Sequence, residues 1–200
     1  MNLPNQLTVA RLILTIIFVG VLSSSMPHAA TIGAILFIIA ALTDMLDGIL
    51  ARKMGLITDF GKLMDPLADK VLMCSAFVLL VELDQLRAWV VAIILTREFL
   101  VTGLRLLATS KGLVLAADSL GKWKTIFQMV TAVYLLVFLA AQENGLFGFL
   151  KPAYETSILG PKLMSPVLVG LTLFFTVVSG IAYLLKNLEV LRASENSPSH

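Results

Sequence analysis

The chain has 200 residues, of which 58% are hydrophobic and 14% charged, with a formal net charge of +2 and a mean hydropathy of +0.93. That balance is far too apolar for an ordinary water-soluble domain. The slight positive charge is no signature of nucleic-acid binding and suits basic loops lying against anionic lipid headgroups. The length fits one membrane domain, residues 1–200, with no room for a second. A lone cysteine, Cys74, excludes an internal disulfide and reads as small core or lipid-facing volume.

Six apolar stretches, at about 8–25, 30–51, 63–83, 86–108, 120–141 and 163–186, are long enough to cross roughly 30 Å of hydrocarbon as helices. The expected fold is therefore an all-α polytopic membrane protein with six transmembrane helices. The first stretch ends in SSSMPHAA, which resembles a signal-peptide terminus. No Lys or Arg precedes Arg11, however, and apolar spans continue along the chain, so the stretch reads as a retained helix. Arg52, Lys53 and Lys62 flank the loop after the second span; Arg105, Lys111, Lys122 and Lys124 flank the loop after the fourth; Lys186 and Arg192 follow the sixth. The opposite loops hold only Arg87, Lys151 and Lys162. The excess of basic residues on one side is expected to place both termini and the Asp-bearing loop in the cytoplasm. The segment at about 142–162 mixes apolar residues with chain breakers and is expected on the outer leaflet, and residues 193–200, ending SENSPSH, read as a disordered tail.

The stretch DMLDGILARKMGLITDFGKLMDPLAD, between the second and third spans, carries the chemistry. Asp44 and Asp47 are spaced for one helix face, as are Asp65 and Asp69. Carboxylates at membrane depth are costly unless neutralised, and Asp44 and Asp47 sit toward the C-terminal end of their helix, where its dipole disfavours anions. A hard divalent cation with all-oxygen coordination is the natural partner of four such groups. Gly48 and Ala51 leave a flat floor beside the acids, Gly61 permits close approach, and Arg52 can fork onto a phosphate. A plain salt-bridge network with Arg52, Lys53, Lys62 and Lys70 is the bland alternative.

The order Asp44, Asp47, Gly48, Ala51, Arg52, Gly61, Asp65, Asp69, with its spacing, resembles the signature of the CDP-alcohol phosphatidyltransferase family, and every position of that signature is filled. The resemblance implies transfer of a phosphatidyl group from a CDP-linked lipid, usually CDP-diacylglycerol, to an alcohol, with release of CMP. It implies Mg2+ or Mn2+, two ions, held by Asp44, Asp47 and Asp65, with Asp69 as the base and a further ligand. It also implies that Gly48, Ala51, Arg52 and Gly61 line the cytidine diphosphate, that the protein is a homodimer, and that the site faces the cytoplasm from the inner (plasma) membrane.

The acceptor is read from two further segments. TREFLVTGLRLLA places Arg97, Glu98 and Arg105 on or near the fourth span, and GKWKT places Lys122, Lys124 and Thr125 at the start of the fifth. Charges at membrane depth usually serve a site, and Arg97, Arg105, Lys122 and Lys124 form a candidate pocket for an acceptor phosphate. The alternative pairs Arg97 with Glu98 or Glu82 and lets the lysines reach the headgroups. Within the family these segments, together with NLPNQLTVARL at the start, resemble those of phosphatidylglycerophosphate synthases. That likeness implies sn-glycerol 3-phosphate as acceptor and turns Asn5, Thr8 and Arg11 toward the nucleotide; equally, Pro4, Asn5 and Thr8 are ordinary helix-start residues. Inositol phosphate or phosphatidylglycerol as acceptor stays open within the family, and an intramembrane ion or proton transporter stays open outside it, although acids gathered at one end do not step across a bilayer.

Overall fold

A computed structural model describes residues 3–54, 59–110, 119–143, 145–156 and 158–195; for 3–8, 44–54, 59–69, 110, 119 and 188–195 it describes the backbone alone. Each expected apolar stretch coincides with a long helix: α1 (Leu3–Leu22), α2 (Ala29–Met54), α3 (Asp59–Glu82), α4 (Ala88–Ser110), α5 (Ser119–Gln142) and α7 (Met164–Glu195). A 3-10 turn, Gly148–Leu150, and the short α6, Lys151–Glu155, occupy the segment between α5 and α7. No strand occurs among the described residues. Helices of 20 to 32 residues span at least about 30 Å at 1.5 Å per residue. α3 continues through Pro66, and α7 runs on to Glu195, into what the sequence suggests as tail.

By length and composition, Leu120–Gln142 and Met164–Asn187 are each apolar enough to cross a membrane, and Val9–Leu22 and Ala29–Thr43 form shorter apolar helical stretches. The outer surface is apolar in keeping with this: Ile16, Phe174 and Leu185 are all exposed, as lipid contact permits and water does not.

Packing inside depends on small residues. Ala34, Ala40, Ala76, Ala132 and Ala140 are fully buried, which lets helix backbones approach closely where lipid supplies no hydrophobic drive between helices. Phe18 of α1 meets Phe37 of α2 with ring centroids 5.8 Å apart, and Leu72, Phe77 and Leu80 of α3 join Leu135 and Leu136 of α5 in the same core. α1 packs on α2 and α3, α2 on α5, and α7 on both α4 and α5. A polar seam runs through the α5–α7 contact: the Thr131 and Thr172 hydroxyls are 2.8 Å apart, and Gln128 Nε2 donates to Thr176 Oγ1 at 3.4 Å. Interhelical hydrogen bonds of this kind hold helices together in an apolar medium.

Two ends are closed by specific chemistry. α3 stops at Asp84, which has φ 57°; Gln85 N donates to Leu80 O at 2.8 Å and Asp84 N to Val81 O at 3.1 Å. This is a Schellman cap with aspartate, one of the few non-glycine residues that tolerate the left-handed region. α2 begins just after His28, at φ 63°, and its first amides are capped from far away in the chain. Glu143 accepts from Ala30 N and Thr31 N, each at 2.9 Å, and from the Thr31 hydroxyl at 2.6 Å. Gly145 makes room for this clasp, because a Cβ there would lie 2.9 Å from His28 Nδ1 and 3.1 Å from Thr31 Oγ1.

Candidate active site

The helices carry the signature residues at one end of the bundle. Asp44, Asp47, Gly48, Ala51 and Arg52 lie on the final turns of α2, and Gly61, Asp65 and Asp69 on the first turns of α3, two helices that pack together. Backbone placement therefore puts both acidic pairs next to the α2–α3 connection. Their side chains, and those of Asn5 and Thr8 on α1, lie outside the described residues, as does Lys111. Among the described residues no group of three or more His, Cys, Asp or Glu side chains forms a metal site. The donor set itself, four carboxylates on two adjoining helices, is the hard all-oxygen type that suits Mg2+ or Mn2+.

Immediately past Asp69 the described side chains form a charged cluster. Glu98, on α4, is the centre: Lys70 Nζ of α3 donates to Glu98 Oε2 at 3.0 Å, Arg97 Nη1 to Oε1 at 3.2 Å, and Lys124 Nζ of α5 also bonds Oε1. Three helices are thus tied to one carboxylate. Arg97 has a second anchor, since its Nη2 donates to Ser179 Oγ of α7 at 3.1 Å, and Gly180 leaves the space it needs, because a Cβ there would lie 2.9 Å from Arg97 Cγ. Glu98, Lys124 and Ser179 are all buried. In such surroundings isolated ions are prohibitively costly and charges survive only when paired.

Arg97 and Lys124, both candidates for an acceptor phosphate, are brought together here through Glu98. The other two stand apart: Lys122 is exposed, and Arg105, also exposed, lies over the Tyr183 ring with Cζ 5.7 Å from its centroid. Lys124 is a buried member of the cluster rather than a loop cation. Arg11 is likewise buried, on α1. The alternative that pairs Arg97 with Glu98 is the one the structure shows, while Lys70, expected only as a partner of the aspartates, also bonds Glu98. The available signal was a glutamate beside an arginine in an otherwise apolar stretch, where burial forces it to gather cations.

The cluster still holds unfilled donors. Arg97 Nε is buried and has no hydrogen-bond partner among the described residues, where three cations face one carboxylate. A surplus of positive charge and donors is the chemistry of a site for an anion. Next to it, Lys70, Val71, Cys74, Phe99, Thr102 and Leu106 are among the residues lining a mostly apolar cavity of about 300 Å³ between α3 and α4, which is where Cys74 falls.

Comparison with known proteins identifies the family. The CDP-alcohol phosphatidyltransferase family model matches residues 1–178, and the chain belongs to that family. A Bacillus subtilis protein named CDP-diacylglycerol--glycerol-3-phosphate 3-phosphatidyltransferase is 42% identical, covering 96% of this chain and 98% of its own length. A Rickettsia bellii protein of the same name is 32% identical over 91% of this chain and 93% of its own. A Mycobacterium tuberculosis protein named probable phosphatidylglycerophosphate synthase is 35% identical over 94% and 82%.

Proposed function

We propose that the protein transfers the phosphatidyl group of CDP-diacylglycerol to sn-glycerol 3-phosphate, giving phosphatidylglycerophosphate and CMP. The observation that carries this reading is the end-to-end match to relatives bearing that name, in a chain that fills every position of the family signature. The cationic cluster directly after Asp69 supports a phosphorylated acceptor over serine, choline or ethanolamine.

In this mechanism Asp44, Asp47 and Asp65, with Asp69, hold Mg2+ or Mn2+, two ions, at the α2–α3 end. When bound, such ions supply charge neutralisation for the diphosphate and its leaving oxygen. Gly48, Ala51 and Gly61 let the cytidine diphosphate lie close to the helix backbones, and Arg52 pairs with a phosphate; Asn5, Thr8 and Arg11 face the same nucleotide from α1. Asp69 accepts the proton of the acceptor's hydroxyl. The hydroxyl oxygen forms a bond to the phosphorus that carries diacylglycerol, the P–O bond to the bridging oxygen breaks, and CMP leaves with that oxygen. Arg97 and Lys124 hold the acceptor's own phosphate, with Arg105 and Lys122 nearer the exposed rim. Catalysis of this kind relies on positioning and charge more than on covalent participation by the protein.

The six long helices cross the cytoplasmic membrane with both termini and the aspartates on the cytoplasmic side, and the protein acts there as a homodimer. A panel of acceptors tests the assignment: purified protein with CDP-diacylglycerol and Mg2+ is given glycerol 3-phosphate, inositol phosphate, serine or phosphatidylglycerol. Product from glycerol 3-phosphate alone is expected; product from another acceptor would move the specificity within the family, and no CMP release with any of them would return the intramembrane acids to a transport role.

A further inference from the structure

Glu98 accepts from Lys70, Arg97 and Lys124, which come from three different helices. Like charges repel strongly where water is scarce, so these three cations would not share a pocket without a central anion. Glu98 is buried and both its oxygens accept hydrogen bonds, Oε1 from Arg97 and Lys124 and Oε2 from Lys70; held by three cations, it is poorly placed to take a proton from a substrate or to touch one. Its cations, by contrast, keep donors to spare. Each ammonium has three donors, and Arg97 Nε is buried with no partner among the described residues. Counted over the described residues, three cations face one carboxylate, a net charge of +2, with donors left over.

We propose that Glu98 is the positioning residue of the acceptor site: it gathers Lys70, Arg97 and Lys124 into one preorganised group whose surplus charge and donors receive the phosphate of the acceptor alcohol. This rests on the reading of the protein as a transferase to glycerol 3-phosphate and extends it to a residue that acts through others. The carboxylate has two opposing effects on an incoming dianion. It repels the phosphate directly, and it fixes the cations that bind it. Preorganisation is the larger effect, because cations freed from Glu98 repel one another out of the pocket.

The test compares wild type with Glu98→Gln and Glu98→Asp, measuring KM for glycerol 3-phosphate, KM for CDP-diacylglycerol, kcat and the unfolding temperature in detergent. Glu98→Gln is expected to raise KM for glycerol 3-phosphate about tenfold or more while KM for CDP-diacylglycerol moves less than about threefold, and Glu98→Asp, which keeps the charge, recovers part of the difference. Equal losses in both KM values would mark a merely structural role and overturn the proposal. A lower KM for glycerol 3-phosphate in Glu98→Gln would overturn it too, by showing that repulsion outweighs preorganisation. If the glutamine variant does not fold, Glu98→Asp decides alone, since a one-methylene retreat must still raise the acceptor KM selectively. Wild type that makes no product from glycerol 3-phosphate would remove the acceptor reading itself, an outcome distinct from an active wild type with an indifferent Glu98.

Discussion

Glu143 caps α2 through Thr31, a residue 112 positions earlier, taking both its amide at 2.9 Å and its hydroxyl at 2.6 Å. The contact closes the end of α2 opposite the aspartates and ties it to the end of α5. Replacing the carboxylate by Glu143→Ala strands donors at a helix N-terminus and should cost about 1 kcal/mol, or an unfolding temperature lower by roughly 2–4 °C for a domain of this size. Thermal unfolding in detergent measures it, and an unchanged midpoint would show that solvent satisfies the cap equally well.

The same contact gives a pH dependence. Burial pushes the Glu143 carboxyl up, but hydrogen bonds from the Thr31 hydroxyl and the Ala30 and Thr31 amides, with His28 nearby, outweigh it and hold the group below its usual value. With the folded value depressed, the stabilisation is complete above the ordinary carboxylate range and disappears as pH falls through the folded value. Wild type should therefore lose its advantage over Glu143→Gln on acidification below about pH 4. A constant difference between the two down to the lowest tolerated pH would contradict this origin.

Asp69→Asn should leave CDP-diacylglycerol binding largely intact, since Asp44, Asp47 and Asp65 remain to hold the ions, and abolish transfer, because the amide cannot take the acceptor's proton. Asp44→Asn should weaken metal-dependent nucleotide binding as well as transfer, because it removes a ligand. Equilibrium binding and turnover measured on the same preparations separate the two, and full activity in Asp69→Asn would exclude it as the base.

Gly180 and Arg97 supply a steric prediction. A methyl group at 180 would stand 2.9 Å from Arg97 Cγ, in the middle of the side chain rather than at its flexible end. Gly180→Ala should displace Arg97 from Glu98 and Ser179, at a cost of about 1–3 kcal/mol, and raise KM for glycerol 3-phosphate. Unaltered stability and KM would mean that α7 can shift to make room.

Arg105→Ala should act chiefly on the requirement for the acceptor, raising KM for glycerol 3-phosphate several-fold through loss of a cation at the rim, roughly 1 kcal/mol. An unchanged acceptor dependence would confine Arg105 to its place over Tyr183.

Much of this was legible in the residues. Long apolar runs admit only helices in a bilayer, so the places of α1 to α5 and α7 follow from hydropathy, whereas the four aspartates are singled out by spacing alone and their side chains lie outside the described residues. The clusters were less legible because burial and tertiary contact decide them. Arg97 and Arg105 are two turns apart on one helix, yet Arg97 turns to Glu98 and Ser179 while Arg105 lies over Tyr183. Lys122 and Lys124 differ by two positions, which on a helix points them to different sides: one is exposed and the other buried. The partnership of Glu143 with Thr31 joins segments that no local pattern connects.

Metal-dependent phosphatidyl transfer is measured by supplying purified protein with CDP-diacylglycerol, Mg2+ and radiolabelled glycerol 3-phosphate, and following lipid-extractable label together with released CMP. One labelled phosphatidylglycerophosphate is expected for each CMP, with both lost on chelation of the divalent cation and restored by its return. CMP release without labelled lipid, or labelled lipid formed undiminished in the presence of the chelator, would contradict it.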